Sequence, residues 1–157
     1  MFLRILYIFL LFSNVCHSQL SSKHWIPPLH CRDASSVGDH YLYLSTQETT
    51  PFQVSITDGA GNPIRTPVTI SQGNPARVFI GNGAGSAMAL RLEDVHVVNS
   101  DKGLILEGTG DFYVSFRIRT ANHAETLISK GKSAVGTTFR LGSLPQNSDG
   151  SLRNFVA

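Results

Sequence analysis

The chain alternates apolar and polar residues with a period of two, again and again. Leu42 and Leu44 alternate with Tyr41 and Tyr43. Phe52, Val54 and Ile56 alternate with Gln53, Ser55 and Thr57. Phe112, Val114, Phe116 and Ile118 alternate with Tyr113, Ser115, Arg117 and Arg119. Side chains of a strand point to opposite faces at successive residues, so each run has one apolar face and one polar face. Shorter runs at 67–71, 77–80, 88–92, 103–107, 126–130 and 137–141 complete the set of expected strands. Turn chemistry fills the gaps: Asp58-Gly59-Ala60-Gly61-Asn62-Pro63, Gln72-Gly73-Asn74-Pro75, Asn99-Ser100-Asp101-Lys102-Gly103 and Lys130-Gly131-Lys132. Glycine supplies positive φ in such turns, and Asn or Asp tolerates it. Gly108-Thr109-Gly110-Asp111 is read the same way, as a turn dividing two strands. Residues 85–98 are ambiguous between a short helix and a strand with a loop. Short strands at regular spacing, with no long helical stretch, predict an all-β fold: an antiparallel β-sandwich whose two sheets pack their apolar faces about 10 Å apart.

The first residues follow a different logic. Residues 1–4 are a short positive region and residues 5–12 an apolar run. Cys16-His17-Ser18 then offers small residues at the −3 and −1 positions of a cleavage site before Gln19. That layout predicts a removable secretory leader over residues 1–18. The apolar run is too short for a membrane anchor, which needs about 20 residues. A lipoprotein reading of Cys16 fits poorly, because Ser13-Asn14-Val15 lacks the small residues wanted just before such a cysteine. The expected product is exported, extracellular or on the outer cell surface. Residues 19–141 are then a β-sandwich-like domain. Residues 142–157 form a polar loop followed by Asn154-Phe155-Val156-Ala157, which reads as the start of a further strand or a truncated second domain. A strand cut at its start lacks partners, so the expectation is an N-terminal fragment of a longer chain.

At 157 residues the chain is long enough to bury a core without staples. If Gln19 begins the mature protein, Cys31 stands alone and cannot form an internal disulfide; it reads as a small buried hydrophobe. A net charge of +2 with no dense Lys/Arg run gives no electrostatic case for nucleic acid.

No motif carries catalysis. Gly81-Asn82-Gly83-Ala84-Gly85-Ser86 imitates a dinucleotide fingerprint, with Asp101 at a plausible ribose distance. The preceding runs alternate as half-exposed strands do, whereas a parallel βαβ strand is apolar throughout, and the following helix would be very short. A glycine-rich loop is the better reading, and no cofactor is expected. His24, His30, His40, His96 and His123 lack the close spacing of a zinc motif, and His30, Cys31 and Asp33 form no recognised ligand set. These histidines read as solvated or hydrogen-bonded. Asp58 and Asn62 lack the further oxygen ligands of a calcium loop, so no metal is expected. No Gly-x-Ser-x-Gly elbow is present. Glu93 and Asp94, as neighbours in a strand, would face opposite ways. Trp25, Tyr41 and Tyr43 are candidate ligand-contact aromatics that could form a strip for sugar, with core or sheet packing as the alternative.

A more specific signal is a set of segments: His24-Trp25-Ile26-Pro27-Pro28-Leu29, Tyr41-Leu42-Tyr43-Leu44-Ser45-Thr46, Pro51-Phe52 leading to the 58–63 turn, Ser100-Asp101-Lys102-Gly103-Leu104, Phe112-Tyr113-Val114, and Ser129-Lys130-Gly131-Lys132 leading to Gly136-Thr137-Thr138-Phe139-Arg140. Together they resemble the IgGFc-binding protein N-terminal domain of large exported proteins of Bacteroidetes. Full-length relatives of that kind often end in gliding-motility-associated or type IX secretion sorting domains. The resemblance covers nearly all of the mature chain and consists of scaffold residues. It implies a β-sandwich-rich extracellular domain with an adhesion role, followed by further domains of the same chain; it supplies no catalytic motif. The expected function is therefore that of a non-catalytic, adhesin-like surface protein that engages a surface glycan or protein ligand. The alternative is an extracellular carbohydrate-binding module. An envelope hydrolase has least support, and a structural role within a larger assembly is not separable from adhesion.

Overall fold

A computed structural model describes residues 19–30, 37–83, 85–90, 97–120 and 124–138. The expected leader, Cys31, Glu93, Asp94, His96, His123 and residues 142–157 lie outside the described residues. Nine strands occur among the described residues: β1 (Ser21–Ile26), β2 (Leu29–His30), β3 (Val37–Ser45), β4 (Phe52–Asp58), β5 (Pro63–Ile70), β6 (Ala76–Asn82), β7 (Ala89–Leu90), β8 (Leu104–Thr120) and β9 (Ala124–Ser129). A single 3-10 turn, Gly131–Ala134, follows β9. The fold is all-β, and every strand pair except β2 with β7 is antiparallel.

The architecture turns on β8, whose two halves belong to different ribbons. Its first half lies between β1 and β4, with Trp25 opposite Ile105 and Thr57 also opposite Ile105. β5 continues that sheet beyond β4. The second half lies between β9 and β3, with Phe116 opposite both Leu127 and Leu42. β6 continues that sheet beyond β3. We call these the first and second sheets; one long strand joins them into a curled sheet. Their inner faces merge into one apolar cluster. Ile26, Val54, Ile56, Leu104 and Leu106 come from the first sheet, and Leu42, Leu44, Val78, Val114 and Phe116 from the second. Each side chain removed from water in this way contributes roughly 1.5–3 kcal/mol.

The segment read as a turn at 108–111 is not one. β8 runs through it, and the glycines serve the crossing between sheets. Between Ser21 opposite Phe112 and Lys23 opposite Glu107, β8 carries more residues than β1, so the strand bulges there. A bulge bends its strand and raises the local twist, which lets one strand pair in two directions. The Phe52 ring lies over the bulge. A β-carbon at Gly108 or Gly110 would come within 2.9 Å of that ring, so only glycine fits beneath it.

Other parts differ from expectation for equally physical reasons. β5 is an edge strand and mostly exposed. Its Pro63 sits at the first position, and Pro67 falls where the pairing with β4 shifts register; both are places where a missing N–H costs no ladder bond. Residues 85–90 hold no helix but the short β7, paired with β2. Thr137 and Thr138 are not in a strand, and 139–141 lie outside the described residues.

The β4–β5 hairpin shows its turn chemistry in full. Asp58 Oδ1 accepts from the backbone N–H of Ala60 (2.9 Å) and Asn62 (2.8 Å), and Oδ2 accepts from Asn62 Nδ2 (2.9 Å). Asn62, through its side chain first and its backbone second, holds the Asp58 carboxyl below its usual range. Both oxygens of that carboxylate are thus used by the turn itself, as expected for a hairpin.

Candidate binding face

The outer side of the second sheet is built from the polar positions of the runs that define its strands. Arg77 and Phe79 come from β6, Tyr41, Tyr43 and Ser45 from β3, Tyr113, Ser115, Arg117 and Arg119 from β8, and Thr126 and Ile128 from β9. Register sets these in rows. Arg77, Tyr43, Ser115 and Ile128 lie side by side, and so do Phe79, Tyr41, Arg117 and Thr126. Neighbours in such a row have β-carbons about 5 Å apart. Tyr43 is 38% exposed, Phe79 40% and Ile128 55%. This is a large exposed apolar content for one sheet face, and it is interleaved with cations.

The cations and rings are organised. The Arg77 guanidinium sits 5.0 Å from the centre of the Tyr41 ring, and that of Arg65, reaching over from β5, sits 5.8 Å from the centre of the Phe79 ring. Arg65 Nε also donates to the Phe79 carbonyl (2.8 Å), which fixes its position. Tyr41 and Phe79 themselves pack with ring centres 5.5 Å apart. At the end of the face Asp39 is held by Asn82 Nδ2 (2.6 Å) and the Tyr41 hydroxyl (3.2 Å). A depression of about 360 Å³ opens on this face, lined by Tyr43, Ser45, Pro75, Arg77, Tyr113 and Ser115 among others. It is a shallow, mainly apolar seat, with Arg77, two tyrosines and two of the sheet's serines in its lining.

Trp25, grouped with the tyrosines in the sequence, lies on the first sheet, 39% exposed, with Lys23 Nζ 5.4 Å from its ring centre. It borders a second, larger groove of about 1020 Å³ with Pro27, Pro28, Val98, Ile105 and Val135. The structure therefore keeps Tyr41 and Tyr43 together and separates Trp25 from them. It adds Phe79, Arg77, Tyr113, Arg117 and Arg119, which no sequence motif marks. Their signal was present as the polar phase of the alternating runs, where three arginines and two more aromatics recur in step.

Two histidines are shut inside. His24 is fully buried. Its Nε2 faces the carbonyls of Phe112 (2.8 Å) and Ser21 (3.0 Å), so that nitrogen carries the proton, and Nδ1 accepts from the Ser129 hydroxyl (3.0 Å). His40, also fully buried, meets Ser86 Oγ through Nε2 at 2.8 Å. Burial pushes both pKa values below 6.5. The carbonyls of Phe112 and Ser21 oppose the fall at His24. The backbone of Asp39 and Gly83 opposes it at His40, though no group meets hydrogen-bond geometry at His40 Nδ1. The His40–Ser86 pair has the spacing of a base and a nucleophile. However, Ser86 is only 9% exposed, and neither residue lines the depression or the groove. Ser86 Oγ also takes the Met88 N–H at 3.3 Å. The pair ties Ser86 to β3. Among the described residues no group of three or more His, Cys, Asp or Glu side chains could hold a metal ion, and no helix is long and apolar enough to cross a membrane.

No family model matches the chain. No curated protein matches it. Among solved structures, the crystal structure of Thermotoga maritima 1070 is similar over 71% of this chain and 97% of that one, at 16% identity and a TM-score of 0.37.

Proposed function

We propose that this chain is the exported, non-catalytic binding domain of an adhesin-like cell-surface protein, and that it engages its ligand through the outer face of the second sheet. The observation that carries the reading is the exposed layer of rings and guanidinium groups around the depression at Tyr43 and Tyr113. A rigid sheet presents such residues at low entropic cost, and aromatic and arginine side chains dominate binding surfaces for that reason. The leader pattern of residues 1–18 supports export, and the resemblance to the IgGFc-binding protein N-terminal domain supports attachment as the role. The binding is read as non-catalytic because the Ser86–His40 contact is shut away from both surface hollows. A second reading, a carbohydrate-binding module, is favoured by the hydroxyl groups of Tyr43, Ser45, Tyr113 and Ser115 around a seat of sugar-ring size.

The test uses cells that display the full-length protein. Replacing Tyr43 and Tyr113 together by alanine should lower attachment about tenfold or more, with surface display and circular dichroism unchanged. Undiminished attachment by that variant on several surfaces would remove this face from the function.

A further inference from the structure

We propose that the face takes an acidic polysaccharide: its carboxylate or sulfate groups are held by Arg77, Arg117 and Arg119, and a sugar ring is seated against Tyr43 and Tyr113. This rests on the binding reading above and adds the chemical class of the ligand.

The charge on the face is unspent. Arg77, Arg117 and Arg119 are exposed, and none of them pairs with a carboxylate among the described residues. The ion pair formed there, Lys23 with Glu107, belongs to the first sheet. Asp39 is occupied by Asn82 and Tyr41. Three exposed arginines against one acid on the same face, Asp39, leave a net positive charge that attracts a polyanion, and each guanidinium can grip a planar carboxylate or a sulfate through two parallel N–H donors.

The spacing favours a chain of anionic groups over a single anion. Arg117 and Arg119 are two residues apart on one strand, about 6.8 Å. Arg77 lies level with Ser115 and two strands across from β8, which puts it about 12 Å from Arg117 and about 17 Å from Arg119. No single small anion spans these positions, whereas successive residues of a polymer can.

The rings decide between polymers. A single-stranded nucleic acid binds by stacking its bases on open aromatic faces. Here the Arg77 guanidinium lies over the Tyr41 ring and that of Arg65 over the Phe79 ring, and those two rings pack against each other. What stays open is the depression at Tyr43 and Tyr113, of about 360 Å³ and mainly apolar, with Ser45 and Ser115 in its lining. That is room for one sugar ring laid with its apolar face on the tyrosines.

The full chain is titrated calorimetrically with polygalacturonate, dextran sulfate, neutral dextran and single-stranded DNA. We expect heat with polygalacturonate or dextran sulfate, the two arms telling carboxylate from sulfate, and none with neutral dextran. Affinity should fall on the order of tenfold with added salt, as release of ions from a polyanion requires. The Arg117→Ala/Arg119→Ala variant should bind at least tenfold more weakly. Arg117→Lys should keep part of the affinity, and Lys102→Ala, placed in the loop before β8, should keep all of it. Equal binding of neutral dextran that depends on Tyr43 and Tyr113 but not on the arginines would overturn the anionic class and leave the binding reading standing. Arginine-dependent binding of DNA as tight as that of the polysaccharides would overturn the polysaccharide assignment. No heat with any polymer would overturn this inference, while the attachment experiment above decides the wider reading separately.

Discussion

His24 and His40 make the stability of the domain depend on pH. Both are buried, and burial places their folded pKa values below the ordinary 6.5. Between that value and the lowered folded values the unfolded chain binds protons that the folded chain refuses, so stability falls as pH falls. The contribution is therefore complete above about pH 6.5 and is lost on acidification below it. We expect the urea midpoint to be level from about pH 7 to 8 and to drop steadily below about 6.5. In a variant with both histidines replaced by glutamine, the drop between pH 6.5 and 5 should shrink. An equally steep fall in that variant would assign the effect elsewhere. The sequence held half of this. Scattered histidines without metal spacing read as solvated or hydrogen-bonded. Yet His40 shares its phase with Leu42 and Leu44, and His24 shares that of Ile26, so extending the alternation past the apolar residues places both inside.

β8 is where the local code and the fold part company. Gly108-Thr109-Gly110-Asp111 has turn composition, and composition alone cannot distinguish a reversal of the chain from a bulge that bends one continuous strand. The distinction lies in Phe52, far away in sequence, whose ring needs the two missing β-carbons. Gly108→Ala and Gly110→Ala should each destabilise by about 1–3 kcal/mol, through overpacking against that ring. Phe52→Ala should itself cost about 1–3 kcal/mol, less than a fully buried ring because Phe52 is only half-buried. In its background the glycine substitutions should lose most of their effect. A double-mutant cycle in denaturant checks this: additivity within about 0.5 kcal/mol would mean the ring and the glycines are not coupled. β1 went unread for a different reason. Its inner face carries Ser21 and His24 beside Ile26, all buried, so polar residues mask the apolar phase. β4 and the second half of β8 are plain, because their inner positions are apolar without interruption, and β3 is plain over Leu42 and Leu44.

At the scale of the molecule, sequence patterns gave faces but not neighbours. Alternation shows that Trp25, Tyr41 and Tyr43 could point outward; it cannot show that β1 pairs with the first half of β8 and β3 with the second. That pairing sends Trp25 to one sheet and the two tyrosines to the other, and with the pairing of β6 to β3 it brings Arg77 from one run and Tyr113 and Arg117 from another onto the same surface. The same shared strand has a thermodynamic consequence. Neither sheet can lose β8 without exposing the inner face of the other, since their side chains form one cluster. The two should therefore unfold as a unit, as small domains with a single core do. The chain carries its own pair of reporters. Trp25, a lone tryptophan, reports on the first sheet, and Tyr41, Tyr43 and Tyr113 report on the second. Tryptophan fluorescence and the near-ultraviolet circular dichroism of the tyrosines should give the same midpoint and the same slope in urea. Curves that separate would mean that β8 can leave one sheet while staying in the other. The binding face would then be a part that folds without the first sheet, rather than one side of a single folded unit.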